Sequence, residues 1–298
     1  MSGARTGITR STVPRSSAPT RPGTGGDSHA PPRSPASPGL FPREEFPLKE
    51  GIEGAARLLG AARRAAALTG AGVSAESGVP TFRGEGGLWR RYRAEDLATP
   101  GAYARDPELV WEWYRHRRRL VAACEPNAAH LALARLERLL PSFTLITQNV
   151  DGLHARAGSR DPVELHGNLF RARCESDGET RTADGSEGDG IPRCRAGHPM
   201  RPDVVWFGEM LPEEALRRAH DAAVAADLFL VVGTSALVHP AATLPVLAQQ
   251  SGARLVEINP EETGLSGYAD ISLRGKAAEI LPALVELAFP EAREGGEG

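Results

Sequence analysis

Three clusters in this sequence have the residue types and spacing to do chemistry. His166 stands in Leu165-His166-Gly167, directly after the short apolar run Val163 to Leu165, which places it on a loop. Imidazole ionises near pH 6.5, so it is the side chain best matched to accepting a proton at neutral pH. Upstream, Gln148-Asn149-Val150-Asp151-Gly152-Leu153-His154 sets two neutral amides beside a carboxylate at the end of a predicted strand. Such a trio can hold a carboxamide and orient a sugar, and Asp151 could equally cap the helix that follows. The third cluster follows the Ala-rich run Ala65 to Leu68, where the chain turns through Gly70, Gly72 and Ala75 in G-x-G-x-x-A spacing. The first glycine permits a tight turn, the second lets backbone N–H groups approach a pyrophosphate, and the small third residue lets a helix pack close on the strand. A dinucleotide is the guest this spacing implies.

With its continuation through Ser74, Ser77, Gly78, Pro80, Phe82 and Arg83, the glycine segment resembles the NAD-binding segment of the sirtuins, the NAD-dependent protein deacylases. The resemblance recurs in order from about Thr69 to Ala277. Gln148 to His154 resembles the second sirtuin motif, Leu165-His166-Gly167 the catalytic histidine motif, and Val204-Val205-Trp206-Phe207-Gly208-Glu209 the substrate-binding strand. Gly233-Thr234-Ser235 and Ile258-Asn259-Pro260 resemble the two late cofactor loops. The resemblance implies NAD as cofactor, contacted by Gly70, Ala71, Gly72, Ser74, Ala75, Ser77, Phe82, Arg83, Trp89, Gln148, Asn149, Asp151, Gly233, Thr234, Ser235, Asn259, Glu261 and Ala277. It implies His166 and Asn149 as catalytic residues, and Val205, Trp206, Phe207 and Gly208 as the rail for an acyl-lysine protein or peptide. In the sirtuin reaction the acyl oxygen attacks the nicotinamide ribose as nicotinamide leaves. The histidine then deprotonates a ribose hydroxyl and the acyl group passes to ADP-ribose. A mono-ADP-ribosyltransferase or a non-catalytic NAD or ADP-ribose sensor would use the same cleft.

A dinucleotide-binding dehydrogenase would need a second strand ending in an acidic residue about 20 positions after the glycine turn. That region reads Leu88-Trp89-Arg90-Arg91-Tyr92-Arg93-Ala94-Glu95, with no apolar strand before it. Adenosine-ribose contacts are therefore expected from later strands, and the sirtuin resemblance implies Asn259 and Glu261 as the residues that make them.

Asp106-Pro107 predicts a helix start, with the helix running to about Val121. Tyr114 and Arg117, three apart, share one of its faces, whereas Arg115, Arg118 and Arg119 read as a solvated basic face. Tyr-x-x-Arg here resembles the pair that marks the class III, CobB-like sirtuins, in which the two side chains bind an acyl carboxylate. Thr81 in Pro80-Thr81-Phe82-Arg83 points the same way, and the implied substrates are succinyl- and malonyl-lysine, with acetyl-lysine also accepted. Sirtuins usually carry C-x2-C twice for tetrahedral zinc. This chain has Cys174 followed by Asp177, and Cys194 followed by Gly197, which rules out four local thiolates. Asp177 and His198 could complete a mixed site, but His198 is one residue out of register, so little or no zinc is expected.

The elements that must position these residues alternate. Helical periodicity over Ile52 to Ala62 precedes the strand ending at Thr69, and a helix opened by Pro126-Asn127 leads to the strand Phe143 to Thr147. Leu228 to Val232, Arg254 to Ile258 and Ile271 to Leu273 read as short buried strands, and Ala277 to Leu287 as a closing helix. This is the pattern of an α/β, Rossmann-like doubly wound parallel sheet with its ligand at the strand carboxyl ends. Breaks in the rhythm over about 84–122 and 170–203 are expected to form a smaller second domain from two insertions in a catalytic domain of residues 46–290. Residues 1–45, dense in Pro, Ser, Gly and Arg, read as a disordered tail, and 291–298 as a disordered terminus.

Composition excludes other classes. A net charge of −3 gives no global attraction to nucleic acid or anionic membrane. The sequence has no run of about 18 apolar residues and no apolar leader, and three cysteines fit a reducing compartment. A cytoplasmic monomer is expected.

Overall fold

The computed structural model describes residues 47–80, 92–185, 188–235 and 237–290. Its strands are β1 (Arg64–Thr69), β2 (Ser142–Thr147), β3 (Val163–Glu164), β4 (Gly167–Cys174), β5 (Thr180–Thr182), β6 (Met200–Val204), β7 (Leu228–Val232), β8 (Arg254–Asn259) and β9 (Ile271–Arg274). Its helices are α1 (Leu48–Ala61), α2 (Ala94–Leu97), α3 (Pro100–Arg105), α4 (Pro107–Ala122), α5 (Ala128–Leu139), α6 (Leu153–Arg156), α7 (Glu213–Ala225), α8 (Leu244–Gln250) and α9 (Ala277–Ala288). The expected tails, together with Thr81, Phe82, Arg83 and Trp89, lie outside the described residues.

Six of these strands form one parallel sheet in the order β3-β2-β1-β7-β8-β9. Alternation along each strand sorts its side chains into two cores. Ala65, Ala67, Leu228, Leu230, Val232, Val256 and Ile258 face α1, α5 and α9, where they meet Leu59, Leu133, Leu136, Leu281 and Leu284. Ala66, Leu68, Phe229, Val231 and Leu255 face α7 and α8 and meet Ala219, Ala223, Leu244 and Ala248. Both faces of the central strands are therefore covered, which explains why β1 and β7 read as continuous apolar runs instead of alternating ones.

The two segments that break the pattern come together. An antiparallel sheet ordered β5-β4-β6 packs with α2, α3 and α4 around Trp113, Tyr114, Leu169 and Trp206, and around Trp111, Cys174, Cys194 and Met200. The Trp111 indole and the Tyr103 hydroxyl both donate to the Met200 carbonyl, at 3.0 and 2.8 Å, fastening two helices to β6. Asp106 accepts the Leu109 N–H at 2.9 Å and Pro107 opens α4. The basic run on α4 departs from the expected solvated face. Arg118 is 2% exposed, donates to the Leu169 carbonyl at 2.7 Å and lies 4.9 Å over Trp111. Arg115 donates to the Gly190 carbonyl, and of the three only Arg119 is exposed. Among the described residues no helix is long and apolar enough to cross a membrane.

Candidate active site

The strand order reverses between β1 and β7, and in open α/β sheets ligands bind in the crevice at the carboxyl ends of that pair. Three glycines interlock there. Gly70 donates its N–H to the Val232 carbonyl at 3.1 Å and Gly72 donates to Gly233 at 2.8 Å. A Cβ on Gly72 would stand 2.8 Å from Gly233 Cα, and one on Gly233, whose φ is 58°, would stand 2.4 Å from the Val73 nitrogen. The glycine spacing is thus demanded by chain-on-chain contact, and the Gly72 amide is engaged within the protein. The turn continues as a 3-10 helix, Ala71–Ser77, ended by Gly78 at φ 78°. Its inward side chains are Val73 and Ser74, while Ala71 and Ala75 are exposed, so Ala75 is not the close helix–strand contact its spacing suggested.

Buried Ser74 is the hub of a polar network joining the ends of β1 and β2. Its hydroxyl donates to Asp151 Oδ2 at 2.7 Å and accepts from Asn149 Nδ2 at 3.1 Å, while Asn149 also reaches the Gly70 carbonyl at 3.0 Å. Asp151 Oδ1 takes the Leu153 N–H at 2.9 Å, so the carboxylate both steadies α6 and anchors Ser74. Gln148 Nε2 donates to the Thr234 hydroxyl at 2.8 Å, linking β2 to the loop after β7. Sequence reasoning missed His130 and His154. His130 accepts the Asn127 N–H on Nδ1, so its Nε2–H faces Ser74 Oγ at 3.3 Å. The signal was an Asn-x-x-His capping box at the start of α5. His154 Nε2 lies 2.9 Å from the Thr69 hydroxyl, and the two imidazoles sit 4.8 Å apart. Burial lowers the pKa of both, and His154 falls to about 3.

His166 sits on the turn between β3 and β4. Its Nδ1–H donates to the Gln148 carbonyl at 2.9 Å, which puts the basic lone pair on Nε2. Its own carbonyl accepts the Val205 N–H at 2.9 Å. The following Gly167, at φ 79°, passes so near β6 that a Cβ would lie 2.1 Å from the Asp203 carbonyl oxygen. Asn259 donates to the Glu261 carbonyl at the end of β8, and Ala277 begins α9, where Glu76 of the glycine segment accepts the Ala278 N–H at 3.0 Å. Ser235 is exposed beside buried Gly233 and Thr234.

On the other side of His166, β6 ends at Val204, earlier than the expected substrate strand. Beyond it Val205 and Phe207 donate to the carbonyls of His166 and Ala98, and Glu209 closes a turn onto Trp206 through Gly208 at φ 88°. Arg201, 2% exposed, holds this segment. It pairs with both oxygens of Glu209, donates to Glu175 at 2.8 Å and to the Val204 carbonyl at 3.0 Å, and lies 3.3 Å over the Trp206 ring. Trp206 Nε1 donates to the fully buried Tyr114 hydroxyl at 2.9 Å. Arg117 lies 4.8 Å over Trp113 and 5.5 Å over Tyr114. Burial raises the Tyr114 pKa and lowers that of Arg117.

In the small lobe Cys174, Asp177, Cys194 and His198 converge, with one donor atom from each within 4.8 Å of the others. The turn after Cys194 brings His198 beside the two thiols and Asp177, the mixed grouping that the sequence left open. The Asp177 carboxyl is held well below the usual carboxylate range, first by the Cys194 thiol and then by the Glu179 N–H and the Cys174 thiol.

The Sir2 family pattern matches residues 70–240. NAD-dependent protein deacylase 2 of Pyrobaculum aerophilum is 53% identical over 232 residues, covering 78% of this chain and 93% of its own length. The crystal structure of a Sir2 homolog–NAD complex superposes with a TM-score of 0.76 at 50% identity, over 80% of this chain and 94% of that one. Sir2Af2 bound to a myristoylated histone peptide superposes with a TM-score of 0.66 at 36% identity, over 83% and 99% of the two chains.

Proposed function

The chain belongs to the Sir2 family, and from that premise we infer that it is an NAD-dependent protein-lysine deacylase acting on acyl-lysine proteins or peptides. NAD supplies an electrophilic sugar carbon with nicotinamide as its leaving group. The chain supplies orientation and proton transfer. Gln148, Asn149, Asp151 and Ser74, cross-linked at the end of β1 and β2, form a fixed polar floor suited to a carboxamide and a ribose. The observation that carries the reading is the paired main-chain tie of His166. One hydrogen bond sets its tautomer so that Nε2 is the base, and the other fixes the base against the Val205 segment, where an acyl-lysine would lie.

The acyl groups we assign are acidic, succinyl and malonyl, with acetyl also accepted. Burying an unpaired carboxylate is costly, so a pocket that takes one must offer a cation and a neutral donor together. Arg117 and Tyr114 are that pair, joined to the peptide segment through Trp206. The chain is to be incubated with NAD and with acetyl-, succinyl- or malonyl-lysine peptides, and the products followed by mass spectrometry. Acylated ADP-ribose and free nicotinamide are expected. ADP-ribose attached to protein, with the acyl-lysine intact, would overturn the reading.

A further inference from the structure

Strand β8 carries a carboxylate where its neighbours are apolar. Val256 and Ile258 enter one core and Leu255 the other, and Glu257, two residues on from Leu255, shares its face with 0% of its surface exposed. A carboxylate so buried has to be matched by donors. The Thr263 hydroxyl donates to Oε1, and the Ser266 hydroxyl, the Ser272 hydroxyl and Arg274 Nη1 donate to Oε2 at 2.6, 3.0 and 3.0 Å. Ser272 and Arg274 lie on β9, in register with Glu257 and Asn259. Thr263 and Ser266 belong to the connecting loop, residues 260–270, whose Leu265 and Ala269 enter the same core as Leu255. The loop is thus folded over one side chain.

The same carboxylate reaches the end of β8 through Arg274. Arg274 Nη1, fixed at Glu257 Oε2, also donates to the Glu261 carbonyl at 3.1 Å, and that carbonyl accepts Asn259 Nδ2 at 3.1 Å. Burial alone does not call for this arrangement, because a buried ion pair can often be replaced by apolar residues with no loss of stability. Hydrogen bonds add direction. An apolar side chain at position 257 would fill the space under the loop without fixing Arg274 or, through it, the Glu261 carbonyl.

We propose that Glu257 is a positioning residue for the cofactor, folding the β8–β9 loop and, through Arg274, aiming the Asn259 amide and the Glu261 turn at the adenosine ribose of NAD. The proposal rests on the NAD-dependent reading of the crevice. Glu257, enclosed by its four donors, is not itself a contact. An ordered loop loses less freedom when a ligand binds, so the effect falls on cofactor affinity. It spares the chemistry, because His166 follows β3 at the opposite edge of the sheet.

The test uses the full chain, with ADP-ribose as the calorimetric probe. Glu257→Gln, which keeps the volume and loses the charge, should weaken ADP-ribose about tenfold, the low end for a hydrogen bond to a charged group. The amides of residues 260–268 should exchange hydrogen faster in the cofactor-free variant. KM for NAD should rise by the same factor, with kcat and KM for the acyl-lysine peptide within twofold of wild type. Arg274, 36% exposed, gives a second variant in which the fold survives. Arg274→Met should match Glu257→Gln, and Arg274→Lys, which keeps a cation and several donors, should restore most of the affinity. Wild-type ADP-ribose affinity in folded Glu257→Gln or Arg274→Met would overturn the proposal. So would a fall in kcat with KM for NAD unchanged, the mark of a merely structural role. A wild-type chain that binds no ADP-ribose would instead overturn the NAD reading itself, and the proposal with it.

Discussion

The crevice at the end of the parallel sheet and the small lobe beside it hold their functional side chains by different means. At the crevice the main chain does the placing. Gly70, Gly72 and Gly233 bring two loops into backbone contact, and Ser74, Gln148, Asn149 and Asp151 all stand within a few residues of a strand end. In the lobe, side chains from distant segments place one another: Arg201 through Glu209 and Glu175, Trp206 through Tyr114, Arg118 through Trp111. A site of the first kind is written in local spacing. One of the second kind is written in pairs that local spacing does not connect.

Loss of the base sharpens this contrast most. His166→Ala should lower kcat by about 10² to 10⁴, the range for a general base, while thermal stability stays close to wild type because the His166 main-chain bonds remain. A turnover number equal to wild type would remove His166 from the reaction.

In the lobe the largest effect should be on stability. Arg201→Met strips the cation from Glu209, and breaking a buried ion pair by removing one partner costs about 3 to 5 kcal/mol. The low end is expected, because Glu209 keeps some contact with water and its carboxylate still accepts the Trp206 N–H at 2.8 Å. Urea unfolding measures the loss. A midpoint within error of wild type would mean that the lobe is held by main-chain bonds, as the crevice is, and the contrast would fail.

Acyl selectivity comes next. Arg117→Met should cut desuccinylation efficiency by about 2 kcal/mol, close to thirtyfold, the scale of one lost charge-assisted hydrogen bond, with deacetylation unchanged or faster. Tyr114→Phe should act on the selectivity in the same direction more mildly, since it removes a neutral donor rather than a cation, and it also strands the Trp206 indole N–H. If both activities fall by one common factor, Arg117 is a packing residue stacked on Trp113, and the acidic-acyl assignment is lost.

These differences also account for what could be read in the sequence. Every strand of the parallel sheet expected from an apolar run is present, β7 with its bounds unchanged, because a strand buried on both faces leaves an uninterrupted signal. The Asn127, Asp151 and His166 positions were legible for the same local reason. The physical account of the glycines was not, since close approach of Gly72 to Gly233, 161 positions later, leaves no local trace. Arg118 read as solvated because its burial depends on a tryptophan and a carbonyl supplied by tertiary packing. His198 reads as one residue out of register because the left-handed bend at Gly197, φ 85°, that turns it toward Cys194 has no spacing signal of its own.

The smallest expected effect tests whether the crevice is as rigidly neutral as its hydrogen bonds imply. His154 is 2% exposed, and burial first, then neighbouring His130, push its pKa down to about 3 from the ordinary 6.5. Between those values the unfolded chain binds a proton here that the folded chain refuses, so stability rises with pH across the window. The contribution is full above pH 6.5 and is lost as the pH falls toward 3. His130 acts with the same sign, because burial outweighs the opposing pull of Asp151, the carboxylate that faces it through Ser74. From pH 7.5 to 5.5 the His154 share is about 1 kcal/mol, or roughly 2 to 4 °C in Tm for a domain of this size. In His154→Gln, whose side-chain amide can still donate to Thr69, the Tm difference between these two pH values should shrink by that amount. An unchanged difference would show that the imidazole protonates within the fold, and that the floor of the crevice yields to charge.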